Sequence, residues 1–256
     1  DLIFLRYPKL YSYLDRKIYD KKFKAAALLA DIVIATSEQT KKDIVEFYAV
    51  PENKIKVIYQ SCQDNFYKEI TASEVSRVKS KLNLPNNYLL HVGTIEERKN
   101  LLTIIKALTI IKDIPLVVIG KKKDYFKKIQ KIIIENNLGH RIRILEDVPN
   151  EFLPALYHGA EIFIYPSLFE GFGIPIIEAL TCGTPVITTQ GGCFSEVGGK
   201  NTIYIEATNH EQLALEINKI LSSTNLQKKM SEMGLIHSRN FLPELISSQI
   251  MSTYKS

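Results

Sequence analysis

Between residues 89 and 206, short apolar runs alternate with longer stretches in which apolar positions recur every three to four residues. The runs fall at 89–93, 116–120, 142–146, 162–167, 185–189 and 203–206. The spaced patterns fall at 101–111, 125–136, 151–158 and 174–182. A run that is apolar throughout, with no polar alternation, belongs to a strand covered on both faces, and strands separated by helices pair in parallel. The pattern predicts an α/β fold built on a doubly wound, Rossmann-like parallel sheet, with its ligand at the carboxyl ends of the strands.

The first 60 residues or so read differently. A helical pattern over 17–30 leads into a strand at 32–36. A second helix follows with Ser37 as its N-cap and Thr40 or Lys41 in its first turn, and Pro51 closes that region. One more strand is predicted at 54–59. Two strands cannot bury both faces of a sheet, so this segment is expected to complete a sheet whose other strands lie outside the chain. A polar stretch at 63–87 carries one helix at 73–82, and the chain after 211 reads as helical almost to its end.

Composition narrows the class. Of 256 residues, 45% are hydrophobic and 24% charged, the balance of a globular domain with a sizeable core. No apolar run approaches the ~20 residues of a spanning helix. The opening Asp1-Leu2-Ile3-Phe4-Leu5 is too short for a signal peptide, so the chain reads as cytoplasmic. Cys62, Cys182 and Cys193 are odd in number and lack CxxC spacing, and are expected to be reduced and structurally incidental. The five histidines offer no ligand pair, and no metal site is predicted. Net charge is +5, with lysines gathered at 121–123, 127, 128 and 131. Two readings of that cluster stay open: a solvated helix face, or attraction to an anionic ligand or membrane surface. Nucleic acid fits poorly, because the lysines are not interleaved with stacking aromatic residues.

The segment from Pro166 to Pro185 carries the chemistry. It follows a buried strand and opens a helix, with Gly171 and Gly173 allowing close backbone approach and Pro175 in the first turn, where its missing N–H costs nothing. Free amides and the helix dipole at such a start make an anion site. Glu170 before the helix and Glu178 within it can accept hydrogen bonds from sugar hydroxyls on either side of a diphosphate. Glu178 lies among Ile174, Ile176, Ile177, Ala179 and Leu180, so its burial demands a partner.

Glu170-Gly171-Phe172-Gly173-Ile174-Pro175-Ile176-Ile177-Glu178 resembles the Glu-x7-Glu signature of glycosyltransferase family four, the large retaining GT-B family. Val92-Gly93 through Arg98-Lys99-Asn100 is similar to its phosphate-binding loop, and Ser37-Glu38-Gln39-Thr40 to its last acceptor-side strand–helix unit. The strands flanking the signature match as well, so the resemblance covers nearly the whole chain. It implies that Glu170 contacts the donor sugar and Glu178 the ribose hydroxyls. Arg98 and Lys99 would hold the diphosphate and stabilise it as it leaves. The amides of Gly171, Phe172, Gly173 and Ile174 would complete the cradle, with room provided by Gly93. Backbone around Val148 and Pro149 would meet the base.

The resemblance implies three parts: residues 1–66 as the remnant of an acceptor-side domain, 67–240 as the nucleotide-sugar-binding domain, and 241–256 as a helix returning to the first. The implied partners are a nucleotide sugar and a glycan or lipid-linked acceptor, with no cofactor or metal, in cell-surface polysaccharide synthesis. Arg98-Lys99-Asn100 is similar to mannosyl- and rhamnosyltransferases and favours GDP-mannose. The implied location is cytoplasmic, with peripheral contact at the inner membrane face. Some positions depart from the family pattern. Thr94 stands where many relatives carry arginine, and no proline precedes Glu196. Gly192 and Ser195 line the donor site or merely form a turn, and Lys121 is a further candidate contact. Two alternatives stay open beside transfer: a donor-binding fragment without activity, and another GT-B enzyme such as a nucleotide-sugar epimerase. A nicotinamide enzyme is disfavoured, since no GxGxxG follows the strand at 89–93.

Overall fold

The structure is a computed structural model describing residues 1–255; Ser256, assigned above to the terminal helix, lies outside the described residues. The chain opens with α1 (Ile3–Arg6), α2 (Tyr13–Leu29), β1 (Val33–Ala35), α3 (Glu38–Tyr48) and β2 (Ile55–Val57). Helix α2 starts four residues earlier than its apolar spacing predicts, because Ser12 Oγ accepts the Asp15 amide and caps it there. Helix α3 starts as predicted, with Ser37 Oγ accepting the Thr40 amide. It stops at left-handed Ala49 (φ 53°), two residues before Pro51. Strands β1 and β2 pair in parallel, Val33 beside Ile55, over a small core of Leu2, Phe4, Ala35, Ile44 and Tyr48. Ile32 and Ile34 are left exposed, as two strands without a second covering layer must leave them.

After α4 (Ala72–Lys81), which a Thr71–Glu74 capping box starts, the main sheet begins. Its elements are β3 (Leu89–Val92), α5 (Leu101–Leu108), β4 (Leu116–Ile119), α6 (Tyr125–Glu135), β5 (Ile142–Leu145) and α7 (Leu153–His158). Then come β6 (Ile162–Tyr165), α8 (Ile174–Thr181), β7 (Val186–Thr189), α9 (Phe194–Gly198) and β8 (Ile203–Ile205). Each of the six predicted apolar runs is a strand, all parallel, in the order β5-β4-β3-β6-β7-β8. Alternate strand residues feed two cores. Leu90, Phe163 and Tyr165 pack with α7 and α8, while Leu89, Ile162 and Ile164 pack with α5 and α10 (His210–Leu221) on the opposite face. Burial on both faces is why these strands are apolar at nearly every position.

The order reverses between β3 and β6, which opens a crevice at their carboxyl ends, where ligands of such sheets bind. The stretch after 211 is helical as expected, in three segments: α10, α11 (Thr224–Ser238) and α12 (Pro243–Tyr254). Ser223 caps a new start by accepting the Leu226 amide, and Pro243 opens the last helix, so each break has a local cause. From α12, Ser252 receives a hydrogen bond from Lys56 on β2. Among the described residues no helix is long and apolar enough to cross a membrane.

Candidate active site

Two loops meet at the switch point. The first leaves β3 through Gly93 and makes one tight turn over Glu97–Lys99 before α5. Asn100, left-handed at φ 54°, redirects the chain, and its side-chain Nδ2 donates to Pro166 O at 3.0 Å and Ala207 O at 2.5 Å. The second loop leaves β6 and runs through Ser167 to α8. Leu168 N donates to Arg98 O at 2.8 Å and Ser167 Oγ to the same oxygen at 3.1 Å, so each loop fixes the other. Behind them, Gly120 ends β4 where an added Cβ would lie 2.0 Å from Gly93 O. Only glycine lets that strand pass.

Glu170 sits where the loops touch and is 8% exposed. Its Oε1 accepts from Lys99 Nζ at 2.7 Å, Tyr165 OH at 2.9 Å and Ser167 Oγ at 2.5 Å. Its Oε2 lies 2.6 Å from Arg98 Nη1. Burial by itself would raise this carboxyl, but the charges of Lys99 and Arg98 outweigh it and hold Glu170 below the ordinary carboxylate range. Burial pulls the Lys99 ammonium down, with Glu170 opposing the change. Arg98 also donates to Phe169 O at 3.0 Å and to Glu96 at 2.9 Å. The Lys99 stem fills the space beside Gly93, 3.5 Å from where a Cβ would stand.

Helix α8 begins after Gly173, whose φ of 108° no other residue adopts readily, with Pro175 in its first turn. Pro175 carries no N–H and Ile176 N donates to Gly173 O at 2.9 Å, so the first-turn amide without a helical acceptor is that of Ile174, at the positive end of the dipole. One turn on, Glu178 accepts from Tyr157 OH at 2.8 Å. Burial raises its pKa to about 6, with the Tyr157 bond opposing the shift. His91, fully buried under the loop, keeps one nitrogen at 2.9 Å from Ile164 O and the other without a partner. Burial holds its pKa down to about 4, so the ring is neutral at pH 7.

The structure thus brings Gly93, Arg98, Lys99 and Glu170 into contact and leads Gly171, Phe172, Gly173 and Ile174 directly into α8. Glu178 stands apart with its own tyrosine, and Val148 packs against the same apolar layer as Tyr157. Gly192 lines a cleft of about 250 Å³ with Phe169, Gln190 and Arg6, whereas Ser195 opens on a different cleft beside His237. Lys121 is exposed, 4.0 Å from Asp147. The neighbouring lysines are also ion-paired, Lys122 with Glu146 and Lys123 with Glu96, both at 2.6 Å.

Four contributors escaped the sequence reading. Tyr165 and Ser167, both engaging Glu170, are the polar residues at the carboxyl end of the 162–167 run, and their position was the available signal. Tyr157 left no such trace. Cys193 is free, as expected, but it is not incidental. Its thiol lies 2.9 Å from Phe172 O and 3.2 Å from Glu170 O, one proton between two acceptors.

A parallel sheet whose strand order reverses at its centre, with Arg98 and Lys99 at the reversal, is an architecture of GT-B glycosyltransferases. Solved structures of that fold superpose over nearly the whole chain. HepE from Anabaena, crystallised with UDP and glucose, matches with a TM-score of 0.86 at 24% identity, over 97% of this chain and 68% of that one. Sucrose-phosphate synthase from Thermosynechococcus elongatus gives 0.83 at 24% identity, over 100% of this chain and 65% of that one. The chain belongs to the glycosyl transferases group 1 family, whose model matches residues 72–235. The O-antigen chain mannosyltransferase B of Escherichia coli is 27% identical over 232 residues, 88% of this chain and 61% of that protein. The O-antigen chain mannosyltransferase RfbU of Salmonella typhimurium is 31% identical over 189 residues, 73% of this chain and 50% of that protein. The chain therefore corresponds to between half and three-fifths of the length of these two relatives.

Proposed function

We propose that this chain is the donor-binding part of a retaining transferase that moves a mannosyl group from GDP-mannose to a glycan or lipid-linked acceptor in cell-surface polysaccharide assembly. The observation that carries the reading is the convergence of Arg98 and Lys99 on Glu170 in a largely buried site beside the start of α8. A buried carboxylate between two cations occupies the place of an anion. A nucleoside diphosphate offers the cations a stronger anionic partner and leaves Glu170 to accept from sugar hydroxyls. When the bond between the anomeric carbon and the diphosphate breaks, the departing oxygen gains negative charge. Arg98, Lys99 and the α8 amides meet that charge where it develops. An acceptor hydroxyl arriving on the same face forms the new bond and passes its proton to the leaving phosphate oxygen, which retains configuration without a protein nucleophile. The two fixed cations supply the charge that a divalent ion supplies in other transferases, so we propose a metal-independent reaction. The mannosyl donor is supported by the Arg98-Lys99-Asn100 loop and by the two O-antigen mannosyltransferase relatives.

The test is to incubate the full-length parent with GDP-mannose or UDP-glucose, with and without an oligosaccharide acceptor. Product anomeric configuration is then read by NMR. Retained mannosyl transfer that needs the acceptor is expected. Inversion overturns the retaining reading, and donor conversion without acceptor points to an epimerase instead. A second reading, donor capture without transfer by the chain alone, is favoured by the first sheet's having only two strands and by the exposed Ile32 and Ile34. Donor binding by this chain without product formation would establish it.

A further inference from the structure

The loop that carries Glu170 is held from outside its own sheet. Gly171 O accepts hydrogen bonds from Ser37 Oγ at 2.7 Å, Thr40 Oγ1 at 3.1 Å and Thr36 Oγ1 at 3.2 Å. All three hydroxyls come from the start of α3, and Ser37 and Thr40 are buried there. A carbonyl oxygen has two lone pairs, so the three hydroxyls share this one and leave it no free acceptor capacity. The open side of Gly171 is closed too, since an added Cβ would lie 2.4 Å from Asp1 Cβ.

The contact is reciprocal. Glu196 on α9 reaches across to accept the amides of Glu38 at 2.8 Å and Gln39 at 3.2 Å. Those first-turn amides have no acceptor within α3, and a carboxylate there also meets the positive end of the helix dipole. Meanwhile Cys193, on the turn before α9, holds the carbonyls on either side of Gly171. The carbonyls of Glu170 and Phe172 thus share the one Cys193 thiol proton, and the middle one, of Gly171, is held by the two-stranded sheet's own helix. The three bonds to Gly171 O join residues more than 130 positions apart and exist only while the two sheets are docked.

We infer that the start of α3 is a cross-sheet clamp in which Ser37 is a positioning residue, setting Glu170 toward the donor sugar through the Gly171 carbonyl, with Glu196 as its counterpart. The inference rests on the transferase reading above and adds a coupling to it. Separation of the sheets releases the Glu170 loop, and docking restores it, so the reacting geometry is complete only when the acceptor side is in place.

Ser37 also caps α3, and the test must separate the two roles. Ser37→Asp keeps an acceptor for the Thr40 amide but has no proton for Gly171 O. Ser37→Asn keeps both the acceptor and an N–H donor. In the full-length protein, Ser37→Asp is expected to lower kcat about tenfold or more, in line with the cost of small misplacements at a reacting centre. GDP affinity should stay within about twofold, since Arg98 and Lys99 are untouched, and Ser37→Asn should restore most of kcat. Amide hydrogen exchange over 170–174 should speed up in Ser37→Asp and not in Ser37→Asn. Unchanged kcat and unchanged exchange in Ser37→Asp overturn the clamp, as does a joint loss of kcat, GDP affinity and melting temperature in both variants. If the wild type binds no nucleotide, the transferase reading falls, while the exchange comparison still decides the clamp. Should Ser37→Asp fail to fold, Glu196→Gln gives the same comparison from the other side. Exchange at the Glu38 and Gln39 amides should rise several-fold there, and no rise overturns the clamp.

Discussion

Glu170 and Glu178 stand on either side of the start of α8, yet their carboxylates have different company. Glu170 is ringed by Lys99, Arg98, Tyr165 and Ser167, and both of its oxygens are taken. Glu178 has one tyrosine and otherwise apolar surroundings. Glu170 is buried and Glu178 half-buried, and loss of solvent pushes both carboxyls up. At Glu170 the two cations reverse the outcome; at Glu178 nothing does, and its pKa rises to about 6. The difference separates two tasks. A cation cluster satisfied by an internal carboxylate is suited to an incoming anion, which takes over the cations while that carboxylate turns to hydroxyl donors. A lone carboxylate with spare acceptor capacity is suited to neutral hydroxyls, which it binds without a charge partner.

The contrast breaks most visibly at Lys99. Lys99→Ala should lower turnover by roughly 10²–10³-fold, the usual cost of losing one group that stabilises developing charge. Turnover near the wild-type value would remove Lys99 from the chemistry. The paired substitutions Glu170→Gln and Glu178→Gln sharpen the comparison, because GDP affinity should move in opposite directions. Glu170→Gln withdraws the competing anion and should tighten GDP several-fold while transfer falls about 100-fold. Glu178→Gln should weaken GDP about threefold to tenfold by losing a charged hydrogen-bond acceptor. Affinity changes of the same sign would mean that the two carboxylates do not divide the work.

Stability against pH distinguishes the same two groups. The folded pKa of Glu178 is about 6 against an ordinary 4.5, so the fold favours its neutral form. Its contribution is intact below about 4.5 and is lost as pH rises through 6, a penalty of about 2 kcal/mol at pH 7. Glu178→Gln should remove that penalty, seen as a gain in urea-unfolding free energy at pH 7.5 relative to pH 4.0. Glu170 is held low, so its contribution is present above its unfolded value and lost as pH falls through the folded one. Glu170→Gln should therefore destabilise at pH 7.5 and less so in acid. The smallest effect is expected at Lys122, whose partner Glu146 is a surface carboxylate. Lys122→Ala should change stability by less than about 0.5 kcal/mol.

Much of the main sheet is legible in the chain because strands such as β4, β6 and β7 are buried on both faces, and a run such as 162–164 has no polar position to blur it. The start of α8 is legible for a different reason: glycine at φ 108° followed by proline admits few other conformations. What could not be read depends on contacts between distant segments. The bond from Ser37 to Gly171 spans the two sheets and imposes no periodicity on either. Cys193 looks like an unpaired thiol until the turn before α9 folds it beneath the Glu170 loop, and α9 itself is too short to show a helical pattern. The capture of Glu170 by Lys99 is of the same kind. The sequence shows a basic pair and an acidic residue 71 positions later, and only the reversal of strand order brings them together.

The central claim, that Arg98 and Lys99 hold a diphosphate which replaces Glu170, is tested most directly by calorimetric titration of this chain with GDP and with guanosine, in the wild type and in Lys99→Ala. The account expects saturable GDP binding that weakens more than about tenfold in Lys99→Ala, with guanosine bound weakly and equally by both. Equal GDP affinity in the two proteins would contradict it.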